Sequence, residues 1–323
     1  MSNNILDSNN NSSTLPDDPR GDMPLIVSML FLFFTVAVSA MIGLGLIALL
    51  GYLLGYEVSE LVGRIGDNSS ATDRNFLRST ILINHVTMFI IPGIVFGIYL
   101  HGKSWWSYFN LNINPKVINI ISGVFLLLLS MPLVQFLFWI NKNWIPLPEW
   151  ARSMEAETAN AISSLLLTDT SFEFLFNVLI IAVVPAIGEE LIFRGIIQKQ
   201  FEKHFNSAIV AIWLAAFIFS AFHFQFEGFL PRFVLGALLG YLYYWSGNLW
   251  VPIIAHFMNN FLQILAQYLF QNEMSDIDLE SVEMIPIWQW LPSLVLVFTV
   301  AHFIRAYNKD LKHKTDNIIN TKV

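Results

Sequence analysis

Three charged residues stand where a charge is costly. Glu189, Glu190 and Arg194 interrupt the run Val183-Val184-Pro185-Ala186-Ile187-Gly188-Glu189-Glu190-Leu191-Ile192-Phe193-Arg194-Gly195-Ile196-Ile197, which is otherwise apolar. A charged side chain at the centre of a bilayer costs about 2.5–3.5 kcal/mol on insertion scales. Glu190 and Arg194 are spaced i, i+4, so they share a helix face and can pair. Glu189 is turned about 100° away. A pair reaching water at a helix end would account for Glu190 and Arg194, but it leaves Glu189 needing a partner on another helix. Two histidines in later apolar runs are candidates: His223, in Phe219-Ser220-Ala221-Phe222-His223, and His256, in His256-Phe257-Met258-Asn259-Asn260. A lone histidine in an apolar run is more often a hydrogen-bonded core residue than a ligand. Here His256, Asn260, Gln263 and Gln267 form one continuous helix face. In lipid such a face must line protein or a water-filled cavity.

A carboxylate screened from water suits a general base. Two imidazoles can hold a metal, polarise a carbonyl or share a proton. An amide one turn from His256, that of Asn260, can donate to a developing oxyanion. Water, base and oxyanion donor together describe hydrolysis of an amide or ester. The chain has no cysteine, which excludes disulfides, thiolate metal sites and a Cys nucleophile. It has no His-Glu-x-x-His zinc helix. The stretch closest to the Gly-x-Gly-Asp of intramembrane aspartyl proteases, Arg64-Ile65-Gly66-Asp67, lacks the first glycine.

The elements that position these groups follow from composition. Of the 323 residues, 55% are hydrophobic and 13% charged, against about 25% charged in soluble domains. Such a chain cannot cover a globular surface, but it can supply about eight membrane helices of roughly 20 residues each. A secreted or cytosolic domain is excluded, and the net charge of −7 argues against a nucleic-acid partner. The expected fold is all-α and polytopic, with about eight transmembrane helices and an intramembrane active site. Apolar runs place the spans near 23–56, 81–100, 117–140, 172–199, 207–224, 233–244, 249–270 and 287–304. The resulting organisation is a polar, disordered tail over 1–22, which lacks the basic start of a signal peptide, and three helices over 23–140. An interfacial amphipathic segment follows over 141–170, then the helices bearing the charged motifs over 171–270. An acidic loop and a last helix occupy 271–306, and a basic tail 307–323.

Glu189 and His223 lie equally far in sequence from a turn near Asn206, so an antiparallel hairpin sets them at one height. A similar count from Gly247 brings His256 to within about 5 Å of that height at 1.5 Å per residue. Loop charges give an orientation. One side collects Arg20, Lys103, Lys116, Lys199, Lys203, Arg305, Lys309, Lys312, Lys314 and Lys322; the other has Arg64, Arg74, Arg78, Lys142, Arg152 and Arg232. Both termini are therefore expected in the cytoplasm, with substrate entering from that side.

Glu189-Glu190-x-x-x-Arg194, then Phe219-x-x-x-His223, then His256-x-x-x-Asn260 resembles the CPBP family of CAAX proteases and bacteriocin-processing or immunity proteins, the group of the type II CAAX prenyl endopeptidases. The likeness covers about residues 170 to 270. It implies an intramembrane endopeptidase of a bacterial inner membrane, cutting a membrane-associated protein or peptide. Glu189 and His223 would activate a water, and His256 and Asn260 would stabilise the oxyanion. Glu190 and Arg194 would support them from behind. The family is called metalloprotease, and Glu189, His223 and His256 would be the ligands of zinc or another divalent cation with an open position. The same groups serve a metal-free glutamate mechanism, which is preferred because zinc would call for a separate base and Glu190 is better explained by Arg194. Two other readings stay open: a non-enzymatic scaffold or immunity protein of the family, and a transporter. A transporter would predict broken helices in two related halves, and no repeat is visible.

Overall fold

The computed structural model describes residues 23–56, 69–275 and 284–320. The polar tail 1–22, the stretch Arg64-Ile65-Gly66-Asp67 and most of the acidic loop lie outside the described residues. Among those residues the chain is helical and has no strand. The helices are α1 (Leu25–Leu54), α2 (Ala71–Tyr108), α3 (Val117–Trp144), α4 (Glu149–Leu166), α5 (Ser171–Phe205), α6 (Ala208–Ala221), α7 (Phe229–Ser246), α8 (Trp250–Gln271) and α9 (Ile287–Asn320). By length and apolarity five of them, α1, α2, α3, α5 and α9 to Leu311, could cross a membrane. α6 is apolar but has only 14 residues. α7 carries Arg232, and α8 carries His256, Asn259, Asn260, Gln263 and Gln267. The expected count of eight spans is therefore not established, although the helices alternate in direction as that count requires.

α1 shows how the bundle faces lipid. Its buried stripe is Ser28, Leu32, Ser39, Gly43, Ile47 and Gly51, while Phe33, Phe34, Met41 and Leu44 are exposed. Lipid is as apolar as leucine, so burial alone does not drive helices together there. Close approach of small residues does. α2 and α5 are not uniform helices. π turns occupy Val86–Ile90 in α2 and Val178–Val183 and Phe193–Gln198 in α5. Two of them precede a proline, Pro92 and Pro185, each at the start of the following α segment. Proline has no N–H for the carbonyl four residues back, and the helix widens to accommodate it.

α2 and α5 are clasped at both ends and in the middle. At one end Arg78, fully buried, donates from Nε to Asn177 (2.8 Å), from one terminal nitrogen to Glu173 (2.6 Å) and Asn75 (2.9 Å), and from the other to the carbonyls of Leu165 (2.9 Å) and Leu167 (2.6 Å). Arg74 adds bonds to Glu173 and Asp169. These arginines therefore do not act as simple loop charges. In the middle, a Cβ on Gly188 would come within 2.8 Å of the Phe89 Cβ, so only glycine lets the two helices meet there. At the other end the buried Lys199 donates to the Tyr108 carbonyl.

α5 is also fastened to α7. Arg194 donates to the Gly236 carbonyl (2.8 Å) and Gln198, one turn on, to the Gly240 carbonyl (3.1 Å). The Gly236-x-x-x-Gly240 spacing keeps that face of α7 low enough for Phe219, Ile212 and Gln198 to lie against it.

Two expected boundaries move. α2 begins at Ala71, ten residues before the apolar run, because Arg74 and Arg78 in its first turns are buried against α5 rather than exposed. α9 continues as helix to Asn320 through the segment read as a tail.

Candidate active site

Glu189 and Glu190 sit on the α stretch of α5 between its two π turns, both buried (5% and 0% exposed). Glu190 faces α8. Its Oε1 accepts from Arg194 at 2.7 Å and meets Nδ1 of His256 at 2.9 Å. A carboxylate only accepts, so that Nδ1 carries the proton. Arg194 is held in addition by Gly236 and lies 4.8 Å over the Phe219 ring. The i, i+4 pair read from the sequence thus belongs to a four-part network, Phe219–Arg194–Glu190–His256.

Glu189 finds its partners on other helices. Its Oε2 is 3.8 Å from Nε2 of His256. Its Oε1 is 3.8 Å from Nε2 of His85, on α2. His85 is a single histidine in an apolar run with no motif around it, so the sequence alone does not single it out. The rings of His223 and His256 both meet that of Phe219, at 4.9 and 6.2 Å between centroids, and Nδ1 of His223 donates to the Phe219 carbonyl at 2.8 Å.

Asn260 lies one turn along α8 from His256. Its Nδ2 donates to the Ile181 carbonyl at 3.0 Å, and its Oδ1 accepts from Asn259 at 3.2 Å. Ile181 lies in the π turn that precedes Pro185, where the ladder is irregular and proline supplies no N–H. Asn260 gives the Ile181 carbonyl one N–H and keeps a second. Further along the face Gln263 is exposed and Gln267 buried.

The structure places His223 differently from the sequence reading. α6 ends at Ala221, so His223 falls in the loop to α7 rather than closing a span. That loop lies at the opposite end of the bundle from the turns at Asn206 and Gly247. The least buried groups around Glu189 are His85, with its side chain 27% exposed, and the half-buried His223.

A metal is a separate question. Among the described residues no three His, Asp or Glu side chains converge at ligand spacing.

The arrangement offers a buried carboxylate between two imidazole Nε2 atoms, a third imidazole close by, and an amide with a spare donor. Those are the parts of a site that binds and activates water.

Comparison with known proteins bears on the same segment. Residues 171–262 match the family model described as type II CAAX prenyl endopeptidase Rce1-like. The chain is also 33% identical over 86 residues to the uncharacterized protein YpbD of Bacillus subtilis (strain 168), which takes in 25% of this chain and 41% of that protein. It therefore spans about two fifths of the length of the curated relative it matches. No solved structure matches it. Several apolar helices together with this segment mark an integral membrane protein. Glu189, Glu190, Arg194, His223, His256 and Asn260 all fall within the matched residues, and over 171–262 the chain is similar to the type II CAAX prenyl endopeptidase Rce1-like family.

Proposed function

We propose that the protein is an intramembrane endopeptidase that hydrolyses a peptide bond of a membrane-associated protein or peptide. The observation that carries this reading is Glu189: a buried carboxylate with an imidazole Nε2 at 3.8 Å from each of its oxygens and, among the described residues, no Arg or Lys paired to it. A scaffold would use Glu190 and Arg194 for packing but has no need of Glu189, whose burial is a cost unless it does something.

Glu189 takes a proton from water, and the water oxygen attacks the peptide carbonyl carbon. His223, on the loop beside the site, assists. The oxyanion is met by the second N–H of Asn260 and by His256, which, with Nδ1–H held on Glu190, donates from Nε2 as the imidazolium. As the C–N bond breaks, Glu189 returns its proton to the leaving amine. Preorganised donors of this kind are worth about 2.7–4 kcal/mol each in the transition state. Arg194 and Glu190 fix the rotamer of His256. The protein belongs in a bacterial inner membrane with both termini cytoplasmic. The test is peptide release by purified protein from a quenched-fluorescence peptide library in detergent micelles, with Glu189→Gln as the control. Equal release by the two proteins would remove the reading.

A further inference from the structure

We propose that His85 is a further catalytic residue, and that its Nε2 and Oε1 of Glu189 together accept the two hydrogens of the attacking water. The inference rests on the hydrolase reading above. It assigns a role to a residue outside the matched segment and outside every motif in the chain.

The tautomer comes first. Nδ1 of His85 lies 3.2 Å from the carbonyl of Ile81, one turn back on α2. A carbonyl only accepts, so Nδ1 carries the proton and neutral His85 turns a lone pair at Nε2 toward Glu189. Two acceptors thus face each other at 3.8 Å. At a hydrogen bond of about 2.8 Å to each, one water spans that gap and donates to both. The carboxylate of Glu189 supplies the base and His85 fixes the direction of the water's second hydrogen, which sets the lone pair that attacks.

The surroundings hold the ring in this pose. It stacks on Phe89, 5.6 Å between centroids and 28° between planes. Phe89 is pinned in turn by the close approach at Gly188 and by an edge contact with Phe222 at 5.7 Å. The π turn begins at Val86, directly after His85, and such turns in helices are frequent at functional sites. His85, with its side chain 27% exposed, is the more open of the two groups, while Glu189 is buried.

The atoms balance. The water oxygen bonds to the carbonyl carbon, one proton passes to Oε1 of Glu189, and the second hydrogen stays on the new hydroxyl, still bonded to His85. When the C–N bond breaks, the proton on Glu189 moves to the nitrogen, giving an acid and an amine.

The experiment compares wild type, Glu189→Gln, His85→Phe and His85→Gln, using any peptide from the library that the wild type cleaves. His85→Phe keeps the ring on Phe89 and removes the acceptor, so kcat is expected to fall tenfold or more with KM within twofold. His85→Gln keeps an acceptor and is expected to recover part of kcat. If the Phe variant fails to fold, His85→Asn, whose amide falls a bond short, is expected to show the same loss. Wild-type kcat in any folded variant without the acceptor overturns the role of His85 while Glu189→Gln stays inactive. Equal release by wild type and Glu189→Gln overturns the hydrolase reading and this inference together.

Discussion

Glu190 and Arg194 illustrate how one residue pair can carry both structure and chemistry. Arg194 is 1% exposed and bonds to a carboxylate and a carbonyl while lying over an aromatic ring. Removing it leaves Glu190 charged and buried beside His256, a loss of about 3–5 kcal/mol for a buried pair broken on one side. Arg194→Ala is therefore expected to melt well below wild type in a detergent thermal-shift measurement; an unchanged melting temperature would show that the pair does not hold the helix. These charges were legible in the sequence because an apolar run leaves a charged residue no innocuous explanation. His85 was not, because a neutral imidazole in an apolar helix has one. Only the fold brings it to Glu189.

At the scale of the helix, apolar runs gave the positions of the rods but not their irregularities. No residue pattern marks a π turn except a proline one turn further on, and the second π turn of α5 has none. The start of α2 was hidden for a different reason: Arg74 and Arg78 look like loop charges until Glu173 and Asp169, almost a hundred residues later, are seen beside them. The link between Pro185 and Asn260 gives a test of what Asn260 does. Asn260→Ala should lower stability by about 1–3 kcal/mol by orphaning the Ile181 carbonyl. Pro185→Ala in the same chain adds a backbone N–H next to that carbonyl. The double variant is expected to regain melting temperature and stay slow in peptide release. If stability and activity return together, Asn260 is a structural residue and not an oxyanion donor.

For the whole molecule, the direction in which helices alternate puts both described termini at the end that holds Lys199 and Gly247, with Asn119 and Asn308 bonded there at 3.0 Å. His223 and its loop lie at the other end. The orientation proposed from the loop charges puts the first end in the cytoplasm. The chain has no cysteine, so introduced thiols report without background. An impermeant thiol reagent applied to intact cells should label Phe224→Cys, whose side chain is exposed, and should label Lys309→Cys only after the membrane is opened. The reverse pattern would invert the orientation. The first three helices, which carried no legible motif, acquire a part in the site through α2. The claim on which the rest depends is that Glu189 is a base for water. The most direct measurement is the kcat of purified Glu189→Gln against wild type on a cleaved peptide, both proteins melting alike: the account predicts a loss of at least a hundredfold, in line with the roughly 10²–10⁴ that a general base contributes, and a Gln variant that cuts at the wild-type rate would contradict it.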